Sequence, residues 1–423
     1  MSKVRIDGCA SCVGSGLLGV WRVCALGLPA FARVTLLPPN HPLTHLADWL
    51  YNEALGVTAI LTNITLGRQW LVQMGAGAAA ADVTMQLCMS YPRHTLQSVE
   101  MPTVTQVRAS DDHVPGKNGG SSPTQWNLAY SSLLSWAVGV APFKDNYWST
   151  AQQPGSSCGA NATEITPSLH NAASVLSAGP VTPCDGVGLA DAAQIMRACA
   201  ASGRLLQPSR PATALDACLL RGGFPAGARQ GDVSATYSAL GGGLVWDHVL
   251  AANVGAGGFA VGPRDLAPVR ADMALRAAPQ GSTASFLLPP APAAGAPAAL
   301  AYSLDASTLA RGSLAVAPFD DAHPIALAPC GLADFQLVHT APVWPQNGWA
   351  LLGDLTKYVP VAEARFANVV ADSNGVSVDV TGTPGEAVAV SFYNTADDSV
   401  HTVACVLPDA GVATASVPAG TCA

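Results

Sequence analysis

The chain has 423 residues, 49% hydrophobic and only 11% charged, which at roughly 150 residues per domain allows two or three domains with sizeable cores. A net charge of −8, from 20 basic and 28 acidic residues, gives no basic footprint for a phosphate backbone, so no nucleic-acid partner is expected. High hydrophobicity with low charge is also the reverse of a disordered chain.

Residues 1–40 are dotted with Cys and Pro, and their composition suggests a truncated or misassembled N-terminal segment. Lys3 and Arg5 precede an apolar stretch over residues 13–31, but Asp7 lies before it and Arg22 splits it into runs too short to cross a bilayer. No other run approaches the roughly 18 apolar residues a span needs, so no membrane span is expected. Eleven cysteines are an odd number, and at least one must lack an intrachain partner. Cys9 and Cys12 form a lone C-x-x-C without a second pair, which reads as ordinary thiols. The triplets beginning at Asn63 and Asn161 are glycosylation sequons. The compartment stays open, with an extracellular or endomembrane setting favoured over the cytoplasm.

Residues 43–188 alternate short apolar runs with helix-like stretches. Helices are expected over residues 70–80, 126–138 and 168–176, the last closed by Gly179 and Pro180, with Val181 opening the next strand. Strands are expected over 82–89, 106–110 and 140–143. Such βα alternation is the signature of a parallel sheet. Beyond residue 211 helical periodicity fades, and apolar runs at 243–246, 285–288, 335–338 and 388–392 recur between Gly and Pro clusters, which reads as an all-β module. Asn374-Gly375, between 366–370 and 376–380, predicts a hairpin with a type I′ turn. Residues 289–297, nearly all Ala and Pro, predict a solvated loop.

The most informative segment is Arg108-Ala109-Ser110-Asp111-Asp112, where a β-favouring run ends in a base and two acids. In a βα fold, catalytic groups collect at the carboxyl ends of strands. Strand alternation places Arg108, Ser110 and Asp112 on one face and Asp111 on the other. A Ser-Asp-Asp at a strand end is more often a turn or a helix cap.

This block, followed by residues 142–149 (Pro-Phe-Lys-Asp-Asn-Tyr-Trp-Ser), Ser177-Ala178-Gly179-Pro180-Val181 with Asp185-Gly186, and Arg210-Pro211-Ala212-Thr213 near Asp216, resembles successive blocks of the raffinose synthase and alkaline α-galactosidase family. The resemblance spans about residues 46–253. It implies the retaining α-galactosidase clan, with a (β/α)₈ TIM barrel followed by an antiparallel β-sandwich. The expected fold is therefore α/β plus all-β: an atypical segment at 1–40, a partial barrel of about strands 4–8 at 41–210, and a β-rich part at 211–423. A complete barrel takes about 250 residues, and three βα units do not fit ahead of Asp48, so an incomplete barrel is expected.

In that clan one Asp ends the fourth strand as nucleophile and another ends the sixth as acid/base. The resemblance implies Asp48 and Asp112 in these roles, with Asp111 competing for the second. As bare sequence, Asp48 reads more often as a helix N-cap. Arg108 is implied to orient Asp112 or hold a sugar hydroxyl. Asp145 and Asp185 would bind galactose or cap a helix, while Trp49, Trp148 and Tyr147 would stack on a sugar or belong to the core. Relatives often carry Lys two residues before the nucleophile, where this chain has Leu46. The implied partner is an α-galactoside. Hydrolysis, galactosyl transfer and non-catalytic sugar binding all remain open.

Other motifs fail. Residues 255–260 match a dinucleotide fingerprint only loosely, with no clear helix after them and in the β-rich half. The histidines show no metal-ligand spacing, and neither a nucleophile elbow nor a P-loop occurs. No metal or cofactor is implied.

Overall fold

The computed structural model describes residues 44–117, 125–156, 158–159, 161–223, 231–241, 243–277, 299–304 and 314–423. The atypical segment at 1–40, the run at 285–288 and the Ala-Pro loop at 289–297 lie outside these.

Four short strands, β1 (Thr44–Ala47), β2 (Thr84–Leu87), β3 (Val104–Arg108) and β4 (Ala141–Phe143), form a parallel sheet in that order. Helices α1 (Leu50–Gly56) and α2 (Leu66–Ala80) lie between β1 and β2, and α3 (Ala129–Ala137) precedes β4. A parallel strand can be reached only by a crossover, so each helix returns the chain to the same edge of the sheet. Leu50 and Leu71 pack on Met85, Leu87, Val104 and Val107. Past the end of β4 the chain makes one isolated parallel bridge, Tyr147 to Pro183, with Tyr147 N donating to Thr182 O at 3.1 Å. Val181 therefore leads into one bridge rather than a full strand. Helix α4 (Pro167–Leu176) opens with Pro at its first position, where no N–H is needed, and is buried from Leu169 to its end.

After residue 211 the sheets are antiparallel. The largest has six strands, in spatial order 316–319, 299–303, 336–342, 245–252, 232–239 and 213–214. Two smaller sheets share one core, in which Val376, Val378 and Val380 meet Val388, Val390, Phe392 and Val403. A disulfide, Cys405–Cys422, closes the end of this region. Cys88, Cys184, Cys199, Cys218 and Cys330 form no disulfide. Together these elements are an α/β part with a parallel sheet and a β-rich part.

Two local expectations need correction. The hairpin forms between Phe366–Asp372 and Gly375–Thr381, but Ser373-Asn374 are its turn residues. Asp372 Oδ1 accepts from Asn374 N and Gly375 N, so an aspartate-anchored turn replaces the expected type I′ geometry. Gly375 is required for space, since a Cβ there would lie 1.9 Å from Val417 O. The glycine-rich residues near 255 also lead into a strand, Phe259–Val261, and then into a helix, α5 (Pro263–Ala277). Leu266 and Val269 bury one side of α5, while Pro268 inside it masks the helical signal in the sequence. The strand before α5 pairs antiparallel with Ile325–Leu327, unlike a dinucleotide-binding βαβ unit.

Candidate active site at the carboxyl edge of the parallel sheet

The ends of adjacent parallel strands place their next residues side by side. Asp48 follows β1, Cys88 follows β2, Arg108 ends β3, and Lys144 and Asp145 follow β4. Asp185 stands two residues beyond Pro183, which bridges to Tyr147. Asp48 thus directly follows a parallel strand, Asp145 and Asp185 stand two residues past a strand and a bridge, and Asp111 and Asp112 lie on the loop after β3.

Arg108 organises the group. Its side chain is largely buried, with Nη2 2.6 Å from Asp112 Oδ1 and Nη1 3.6 Å from Asp145 Oδ1. Burial works against the guanidinium charge, but Cys88, Asp145 and Asp112 leave its pKa raised. Arg108 and Asp112, on one face by strand alternation, meet although the regular strand stops at Arg108. Ser110 Oγ accepts from Asp145 N at 2.9 Å, and Asp145 Oδ2 accepts from His113 N at 2.7 Å. Asp145 therefore fastens the loop that carries Asp111 and Asp112, neither of which caps a helix.

Asp48 is half-buried, and its Oδ1 accepts from Trp49 N at 2.7 Å. The N-cap of α1 is Trp49, with no side-chain cap, so Asp48 is released from the capping role its sequence position suggested. The buried thiol of Cys88, which follows the neighbouring strand, lies close enough for Asp48 to act on it electrostatically. Burial pushes that thiol's pKa up, Asp48 and Asp145 add to the rise, and Arg108 opposes it. Cys88 thus connects Asp48 to the Arg108 cluster.

A cleft of about 740 Å³ is lined among others by Tyr51, Ser90, Arg108, Asp111, Asp112 and Tyr130, but not by Asp48, Trp49 or Asp145. Trp49 is 52% exposed and holds a left-handed backbone, φ 57°, a costly state for a bulky residue that is concentrated at functional sites. Trp148 is buried edge-on against His113, and Tyr147 is buried in the bridge, so these two aromatics serve the core. Asp185 Oδ1 accepts from Ser149 N and Gln153 Nε2, joining two loops away from the cleft-lining residues.

Directly behind the loop lies a buried cluster that sequence spacing did not reveal. His113 Nε2 is 2.9 Å from Glu164 Oε2, and His170 Nε2 is 3.3 Å from the same oxygen. All three side chains are inaccessible to solvent or nearly so. Neither ring nitrogen of His170 has a hydrogen-bond partner. Burial lowers the pKa of His113 and takes that of His170 down to about 3, so both imidazoles are neutral at neutral pH. Burial pulls Glu164 the other way, yet the hydrogen bond from His113 and its other partners hold it well below the usual carboxylate range. Lys144 is fully buried nearby, its Nζ donating to Asp145 O at 3.1 Å and Asn146 O at 2.8 Å, and burial lowers its pKa to about 8. These three ligand-type side chains are the group that could hold a metal ion among the described residues.

No helix among the described residues is long and apolar enough to cross a membrane. Compared with known proteins, the chain matches no family model and no curated protein.

Proposed function

We propose that the protein is a retaining glycoside hydrolase acting on α-galactosides, with Asp48 as nucleophile and Asp112 as acid/base. The observation that carries this reading is the gathering of Asp48, Arg108, Asp112 and Asp145 at one edge of a parallel sheet, where Arg108 and Asp112 line an open cleft. Strands β1 and β3 are separated by β2 alone. At 4.7–4.9 Å per strand spacing their main chains stand roughly 10 Å apart, and carboxylates leaning inward over β2 can approach the roughly 5–5.5 Å of a retaining pair.

In the first step an Asp48 oxygen bonds to the anomeric carbon as the glycosidic C–O bond breaks. The protonated Asp112 gives its proton to the departing oxygen. In the second, Asp112 as carboxylate takes a proton from water, whose oxygen displaces Asp48. Arg108 holds Asp112 in place, and exposed Trp49 offers a stacking face beside Asp48. The four strands and the Tyr147–Pro183 bridge would be the later strands of a (β/α)₈ barrel, and the paired smaller sheets its β-sandwich. A sugar acceptor in place of water would turn the same first step into galactosyl transfer.

Release of nitrophenol from an aryl α-galactoside tests this reading. Asp48→Asn is expected to abolish it, and Asp112→Asn to slow it by about 10²–10⁴-fold. Turnover unchanged in Asp48→Asn removes the nucleophile assignment. Loss in Asp111→Asn with retention in Asp112→Asn moves the acid to Asp111.

A further inference from the structure

We infer that His113, Glu164 and His170 form a binding site for a divalent transition-metal ion such as Zn²⁺. Three observations carry it. The two His–Glu contacts converge on one oxygen, Glu164 Oε2, at 2.9 and 3.3 Å. Ligands about 2.0–2.1 Å from a tetrahedral ion stand about 3.3 Å apart, so both His–Glu separations are close to what an ion imposes, and all three ligand atoms lie within 4.8 Å of one another. His170 is fully buried with neither nitrogen hydrogen-bonded, a costly condition that coordination through Nε2 relieves at one end. Finally, Glu164 is oriented from behind, since its other oxygen accepts from Thr166 N at 2.8 Å and Thr166 Oγ1 at 3.1 Å. Such outer hydrogen bonds fix a ligand's direction and sharpen metal affinity.

Charge decides the class of ion. The buried Lys144 acts electrostatically on both His113 and His170 and opposes any cation. Calcium and magnesium bind oxygen-rich, strongly anionic sites, whereas two imidazoles and one carboxylate suit zinc and its neighbours. The ion would tie the loop after β3, which bears Asp111 and Asp112, to the first turns of α4. The site stands whether or not the cleft acts on galactosides, because its readout is bound metal.

The test uses tag-free full-length protein, stripped with a chelator and then titrated with Zn²⁺ or Co²⁺. One equivalent of tightly held metal is expected, and the Co²⁺ form is expected to show visible bands of a nitrogen- and oxygen-ligated ion. His113→Ala and Glu164→Gln are each expected to lose that equivalent. A His323→Ala/His401→Ala variant, which removes the exposed His–Asp pairs, is expected to keep it. Lys144→Met is expected to bind more tightly than the wild type. Wild-type protein that holds no more metal than the His113→Ala/His170→Ala variant overturns the inference, as does binding abolished by the His323→Ala/His401→Ala change.

Discussion

At the scale of single residues, Arg108 makes separate acids into one group. It touches Asp112 and Asp145 directly and acts on Cys88, whose thiol also feels the charge of Asp48. A lysine places one point charge where the guanidinium presents a fork. Arg108→Lys is therefore expected to lower kcat on the aryl α-galactoside, because one ammonium cannot hold Asp112 and Asp145 together. Unchanged turnover would remove Arg108 from the positioning of Asp112. Histidines give a second expectation at this scale. Burial lowers His94 and His248 to about 4 from 6.5. The unfolded chain thus binds protons below pH 6.5 that the folded chain refuses until about pH 4. Each group removes roughly 1.4 kcal/mol of stability per pH unit across that window. Denaturant midpoints followed from pH 7 to 4.5 are expected to fall, and less steeply in His94→Gln. The Arg108–Asp112 pair was legible because i and i+4 at a strand end depend on local geometry alone. His113, Glu164 and His170 were not, because only the folded path of the chain brings residues 51 positions apart into contact.

Elements show the same division between local and distant causes. The hairpin near residue 374 was legible from Asn-Gly, but its turn slipped back by one residue because Asp372 supplies acceptors for two N–H groups. What makes Gly375 necessary lies on another strand, at Val417. Gly375→Ala is accordingly expected to destabilise the protein by about 2 kcal/mol or more, combining a forced close contact with φ 157°. A thermal midpoint within a degree of the wild type would contradict the clash. Helix α5 was hidden from sequence reading by Pro268, although Gly262 N donating to Asp265 Oδ2 at 2.8 Å supplies a start signal. The four parallel strands were readable because βα alternation constrains connection and direction together.

Across the whole molecule, the change of sheet type near residue 211 is visible in composition, but the packing does not part there. One core joins Trp126, Leu128 and Leu169 to Leu250, Leu337 and Tyr358. Arg197 lies over the Tyr358 ring at 4.2 Å, Gln194 Nε2 donates to Tyr358 Oη at 2.6 Å, and Lys357 Nζ donates to Met196 O and Cys199 O. Tyr358→Ala removes a fully buried ring and is expected to cost about 3–5 kcal/mol. It should lower the unfolding of the α/β part and the β-rich part together, as seen by coincident far- and near-ultraviolet dichroism. Separate transitions, with only one shifted, would show that the two parts are not coupled through this ring. Composition could reveal where the sheets change but not this joint core, because its contacts span residues 126 to 362.

The central claim is that Asp48 and Asp112 face one sugar from opposite sides at the distance of a double displacement. Proton NMR of the galactose first released from an aryl α-galactoside tests it most directly. The account predicts that the α-anomer appears first and mutarotates afterwards. Initial release of the β-anomer would contradict the paired-carboxylate geometry on which the proposed chemistry depends.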